Sequence, residues 1–312
     1  MKKLLSLALV LSMVFGLVAL TAGAETPKFK IGILAPAVTH GWVAGVAYHA
    51  ELRSKELADT VEYKLYTSSN AEEMTGQLDD LKTWGAQAIV AFPQWQGMEV
   101  PIQAAIDEGI VVVNFDIQIN AEGIYLVTGD NEGMGRASAQ YIVDKIGTTG
   151  TVVALPVPTS GSVSELRMKG FMDVIKEIAP EMTIIERATQ FTREAGLNDM
   201  SDILAANPQI DAIYSLDDET SIGALQAIAD AGRTDIKVIT GGGGCQEYFN
   251  MMPENENIWI ASALYSPMMV EDAVDMAVAV LSGETVDPVK VIPTAIVDRE
   301  NAADYLDPNS VY

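Results

Sequence analysis

The sequence predicts an α/β protein built from two doubly wound parallel-sheet lobes. Short apolar runs alternate with longer segments of helical period, a pattern that calls for strands joined by right-handed helical crossovers. Several runs are continuously apolar, such as Ile110-Val111-Val112-Val113 and Ala88-Ile89-Val90-Ala91, as strands covered on both faces are. The layout then repeats after a change of composition at Thr128-Gly129-Asp130-Asn131. A chain of 312 residues suits two such sheets better than one, with a single (β/α)8 barrel as the competing topology.

In the first block, strands are expected over 29–35, 61–66, 88–92, 110–115 and 125–127, with helices over 43–57, 72–84 and 97–108. The second block opens on a helix over 133–146. Strands follow over 151–155, 182–187, 212–216, 236–240 and 259–264, with helices over 164–178, 194–206, 220–231 and 268–281. Gly85, Gly109, Gly232 and Gly283 each follow an expected helix end, where a left-handed residue stops the helix, so they are not phosphate loops. The glycines from Gly129 to Gly135 lack GxGxxG spacing, and Asp130 or Asn131 there caps the next helix. Gly241 to Gly244 either line a cleft or make a plain turn.

Residues 1–24 read as an export signal. Lys2 and Lys3 precede an apolar run, and Ala22-Gly23-Ala24 supplies the cleavage site. The run is also close to the length of a membrane span, but no basic stop-transfer cluster follows it. The expected location is periplasmic or secreted, after cleavage. Against 43 acidic residues stand only 19 basic ones, and the net charge of −24 repels phosphate backbones and anionic lipid heads. Nucleic acid is therefore excluded as a partner. The lone Cys245 and the two histidines, His40 and His49, leave no disulfide framework and no thiolate or HExxH metal site. No GxSxG, GxxxxGK[ST] or CxxC motif is present, so neither an enzyme nor a cofactor is expected.

In open α/β sheets ligands bind beyond the carboxyl ends of the strands, so the residues just after each strand are the candidates for function. In the first block these include His40, Trp42, Phe92, Trp95 and Asp116. In the second they include Glu165, Phe191, Asp217, Gly242 and Tyr265, with Asp218 and Glu219 either in the cleft or serving a helix N-terminus. Aromatic rings beside acids and amides suit a sugar: ring faces cover C–H surfaces while carboxylates take hydroxyl hydrogen bonds. Asp116 follows a fully buried strand, where an unpaired carboxylate is expensive, so a ligand or hinge role is expected for it.

The segments IGILAPAVTHGW, VVVNFD, LVTGDNEGMGRASAQYI, RMKGFMDVI, YSLDDETSIGALQAI and LYSPMM resemble the ribose/galactose-type periplasmic sugar-binding proteins, the solute receptors of ABC transporters. The resemblance covers essentially the whole chain after residue 24. It implies a type I periplasmic-binding-protein fold with a three-segment hinge. The first lobe would hold 25–128 and 266–290, and the second 129–265 and 291–312. It implies that Asp116 grips sugar hydroxyls, that Trp42 stacks on the ring, and that Phe191 and Asp217 line the cleft. Ile117 stands where the family commonly has an arginine, and Glu165 at another arginine position, with Arg167 two residues on. This more acidic cleft leaves open a cationic or amino-substituted ligand. The implied partners are a small sugar and an ABC permease, or a chemoreceptor docking the same closed form, with the protein itself a monomer. A rival reading is an exported glycosidase using Asp116, Glu165 and Asp217.

Overall fold

A computed structural model describes residues 28–38 and 41–312; the export signal read in residues 1–24 and the candidate His40 lie outside the described residues. The first sheet has the order β11-β5-β4-β3-β1-β2, from β1 (Phe29–Pro36), β2 (Val61–Ser68), β3 (Ala88–Ala91), β4 (Val111–Phe115), β5 (Tyr125–Gly129) and β11 (Val289–Ile292). All its neighbours pair in parallel. The helices α1 (Gly41–Glu56), α2 (Ala71–Trp84), α3 (Glu99–Asp107) and α9 (Met269–Leu281) belong to this lobe. All four residues of β3 are buried, as its unbroken apolar run requires.

The second sheet has the order β12-β10-β9-β8-β6-β7. Its strands are β6 (Thr151–Leu155), β7 (Thr183–Glu186), β8 (Ala212–Ser215), β9 (Val238–Gly243), β10 (Trp259–Leu264) and β12 (Ile296–Asp298). Only β12 runs antiparallel to its neighbour. Around it stand α4 (Asn131–Ile146), α5 (Ser162–Ile178), α6 (Arg193–Ala206), α7 (Asp218–Asp230) and α8 (Gln246–Glu254). The competing single barrel is thereby excluded. In both sheets the order reverses between the first strand and its inner neighbour, so each lobe has a switch point where a crevice opens.

The chain passes between the sheets after β5, after β10 and between β11 and β12. A boundary at residue 290 would cut β11, whose pairing with β5 continues to Ile292 opposite Gly129. Three elements escape the sequence pattern. β11 is a mostly exposed edge strand, β12 is three residues long, and α8 is a short helix with Pro253 inside it. The glycine run is also not a turn: β9 carries Gly241, Gly242 and Gly243 within the sheet.

Helices α4 and α5 approach closely because each offers a glycine at the contact. A Cβ on Gly135 would collide with the backbone oxygen of Arg167, and one on Gly170 with that of Glu132. That approach seats Arg167 beside the crossing after β5. Gly135→Ala should therefore cost about 1–3 kcal/mol, as overpacking does. Gly76→Ala, in α2 with nothing within 4 Å of its new methyl group, should gain up to about 1 kcal/mol. Thermal unfolding followed by circular dichroism checks both.

Candidate functional site

The carboxyl ends of the two sheets face each other across a cavity of about 240 Å³. Drug-sized pockets run to roughly 300–1,000 Å³, so the guest this one admits is smaller. Asp116 directly follows β4 with a φ of 65°, the left-handed region that only this non-glycine residue occupies among the described residues. The side chain of Asn114 holds the bend: it donates to the Phe115 and Ile117 carbonyls at 3.1 and 2.9 Å and accepts from the Ile119 N–H at 3.1 Å. Such a bend costs of order 1–3 kcal/mol and aims the carboxylate into the cavity.

Inside, Asp116 Oδ1 accepts from the Tyr265 hydroxyl. That hydroxyl also receives a bond from Asn131 Nδ2 at 3.2 Å. Asn131 Oδ1 in turn accepts from Arg167 Nε at 2.8 Å, and Arg167 Nη1 donates to the Leu216 carbonyl at 2.7 Å. The guanidinium lies 4.5 Å over the Tyr265 ring, a cation–π contact. Burial pushes the Asp116 carboxyl up to about 6, while the Tyr265 hydrogen bond and the Arg167 charge pull the other way.

Asp217 caps α7, its Oδ1 accepting from the Thr220 N–H at 3.1 Å. Burial pushes its carboxyl up to about 7. Its neighbour Asp218 is fully buried and turned away to a different task. Asp218 Oδ2 accepts from the Gly244 and Cys245 N–H groups at 2.9 and 3.0 Å and from the Ser262 hydroxyl at 2.9 Å, fastening the end of β9 to the cavity wall. Burial raises it to about 6.

The apolar wall is one aromatic group. Trp42, at the start of α1, stacks on Phe115 at 6.2 Å with 10° between planes and meets Phe92 edge-on at 6.0 Å. Its Nε1 donates to the Tyr265 carbonyl at 2.7 Å, tying the first lobe to the crossing after β10.

Trp42, Phe92, Asp116, Arg167, Phe191, Asp217, Gly242 and Tyr265 all line this cavity. Two candidates do not. Trp95 packs half-buried against the separate apolar cluster of Leu34, Met74 and Met98. Glu165 is exposed on α5, because two residues of helix turn it away from the face that Arg167 presents inward. Of the acids in the glycosidase reading, Asp116 and Asp217 line the cavity and Glu165 does not. Residues absent from the site prediction also line the cavity. Val157 and Thr159 fall where the post-strand rule already points, beyond β6, whereas Tyr312 comes from the far end of the sequence with no local signal.

The sequence model of the family described as periplasmic binding protein domain matches residues 31–285. A D-allose-binding periplasmic protein of Escherichia coli strain K12 is 27% identical over 205 residues, a match covering 62% of this chain and 66% of that protein. A xylitol-binding protein of Mycolicibacterium smegmatis is 27% identical over 305 residues, covering 92% of this chain and 84% of that protein. The crystal structure of an ABC transporter solute-binding protein from Mycobacterium smegmatis with bound glycerol superposes with a TM-score of 0.82 at 25% identity, over 91% of this chain and 99% of that one.

The three buried carboxyls fix a pH dependence. All titrate above the ordinary carboxyl value of roughly 4, so between about pH 4 and 7 the folded chain holds protons that the unfolded chain has lost. Their contribution to stability therefore declines as pH rises through that window and levels off above it. Asp217→Asn, which keeps a cap on α7, should show a shallower decline of melting temperature between about pH 5 and 8 than the parent. Parallel slopes in a thermal melt series would refute this.

Proposed function

This chain belongs to the periplasmic binding protein domain family, and on that premise we propose that it is the exported sugar receptor of an ABC transporter. It binds without catalysing a reaction. The lobes close on a small neutral monosaccharide or polyol, and the closed form docks on the permease. The observation that carries this reading is the Asp116 carboxylate, aimed by a strained bend into a small cavity between two switch points, beside the Trp42 and Phe92 rings. A buried acceptor beside flat apolar faces is matched by a molecule with hydroxyls on its rim and C–H groups on its faces. The buried Gln94 Oε1, at the same cavity, has no partner among the described residues and is a further acceptor for a hydroxyl. Relatives named for D-allose and xylitol, and a neighbour holding glycerol, support the polyhydroxylated class.

Closure follows from differential affinity, because a guest touching both walls stabilises only the state in which both are near it. The lobes already meet at one edge, where the Gln118 N–H donates to Ser162 Oγ at 3.3 Å. Export through the 1–24 segment makes the protein periplasmic or secreted. No helix among the described residues is long and apolar enough to cross a membrane.

A thermal-shift screen over aldopentoses, aldohexoses, polyols and primary amines tests the class, since binding raises the melting temperature by mass action. A sugar or polyol should be the hit; an amine as the sole hit would replace this reading with a cation receptor. Asp116→Ala should weaken that hit at least about 100-fold by calorimetry, from losing hydrogen bonds to a charged acceptor worth about 1.5–3 kcal/mol each. Affinity should also weaken as pH falls below about 6, where Asp116 takes up a proton and ceases to be a charged acceptor.

A further inference from the structure

We propose that Tyr312 is a ligand-recognition residue of the cleft, its ring walling the cavity beside α1 and its hydroxyl hydrogen-bonding the bound guest. The inference rests on the reading that the cleft takes a sugar or polyol. Tyr312 is 8% exposed and lines the cavity together with Asp217 and Gly243. Its backbone is anchored on the second lobe: the Tyr312 carbonyl accepts from the Gln246 N–H at 3.2 Å, and the Asp307 N–H donates to Gln246 Oε1 at 2.7 Å. Its ring also touches the first lobe. It lies along α1 where Gly41 and Gly45, one helical turn apart, leave the helix bare; a Cβ on Gly41 would stand 3.0 Å from Tyr312 Cδ2, and one on Gly45 3.5 Å from Tyr312 Cβ. The segment therefore reaches from the second lobe to the first across the cavity.

The hydroxyl points at the floor of the cleft, 2.8 Å from where a Cβ on Gly243 would stand. Among the described residues it makes no hydrogen bond, although its carbonyl and N–H are both engaged. Burial first, and the nearby Asp218 and Asp217 charges next, hold the phenol protonated, so it keeps a proton to donate. A buried phenol can donate to and accept from one guest hydroxyl, and leaving it unmatched is costly. Asp116 and Tyr312 would then grip the guest from opposite lobes, an acceptor on one side and a donor on the other.

The test is calorimetric titration of the parent, Tyr312→Phe and Tyr312→Ala with D-allose, xylitol, D-ribose and glycerol, then with monodeoxy analogues of the tightest of these. Tyr312→Phe should keep the parent's melting temperature and lose about 5- to 10-fold in affinity, the fold-change of one hydrogen bond. At one deoxy position the parent should pay that same factor while Tyr312→Phe pays none, a coupling that a merely structural ring would not produce. Tyr312→Ala, losing the wall as well, should weaken binding further; should it fail to fold, the phenylalanine variant still decides. Binding by Tyr312→Phe within about twofold of the parent, or identical deoxy penalties in both, overturns the inference and leaves the sugar reading standing. A parent that binds none of the four probes overturns that reading and this inference with it.

Discussion

The site depends on an almost wholly buried carboxylate that faces the cavity. Asp116 sits at the end of the first lobe's β4, and the group that answers it, the Tyr265 hydroxyl, sits on the crossing after β10. A hydrogen bond to a charged group is worth about 1.5–3 kcal/mol, so the two are best kept matched. From Tyr265 the bonds continue through Asn131 to Arg167 and end on the Leu216 carbonyl of the second lobe. A change at Asp116 is thus felt along one connected set of groups that passes through two of the three crossings. A guest whose hydroxyls compete with Tyr265 for Asp116 acts directly on the hinge.

Three aspartates show how environment, not residue type, assigns the work. Asp116 is bent into the cavity by its left-handed backbone. Asp217 is a helix cap that also shows an edge to the cavity. Asp218, its immediate neighbour, serves the strand behind, holding the Gly244 and Cys245 N–H groups and the Ser262 hydroxyl. That last set explains the glycines of β9. A Cβ on Gly241 would crowd the Asp218 carboxylate and the Ser221 hydroxyl, and one on Gly242 would crowd Met134, so the wall is thin because larger residues do not fit behind it.

Buried strands were the most legible part of the sequence because continuous apolar runs such as Ile110 to Val113 have one good solution, a position inside a parallel sheet. β11 and β12 were not, since edge strands need little apolar pattern and owe their place to pairing with β5 and β10. The post-strand rule brought Trp42, Asp116 and Asp217 to one cavity because topology alone puts strand ends there. The rule gives a position along the chain and not a side of it. Trp95 and Glu165 satisfy it in number and fail it in direction, one turned to an apolar cluster and the other to solvent. Tyr312 lies beyond such reasoning altogether, because its place is set by contacts with Gln246 and α1, both far away in sequence.

The charge of the cavity narrows its guest further. Among the described residues, Asp116, Asp217 and Arg167 are the acids and base that line it. Arg167 is held by Asn131, by the Leu216 carbonyl and by the Tyr265 ring, so its guanidinium is fixed in place as part of the wall. A carboxylate or phosphate on the guest would meet two acids against one base among the described residues, a net repulsion. An apolar guest would leave Gln94 Oε1 unmatched, at about 1–3 kcal/mol, and would offer Asp116 no hydroxyl beyond that of Tyr265. A neutral molecule with hydroxyls avoids both costs, and the same two penalties that exclude its competitors give the cleft its selectivity.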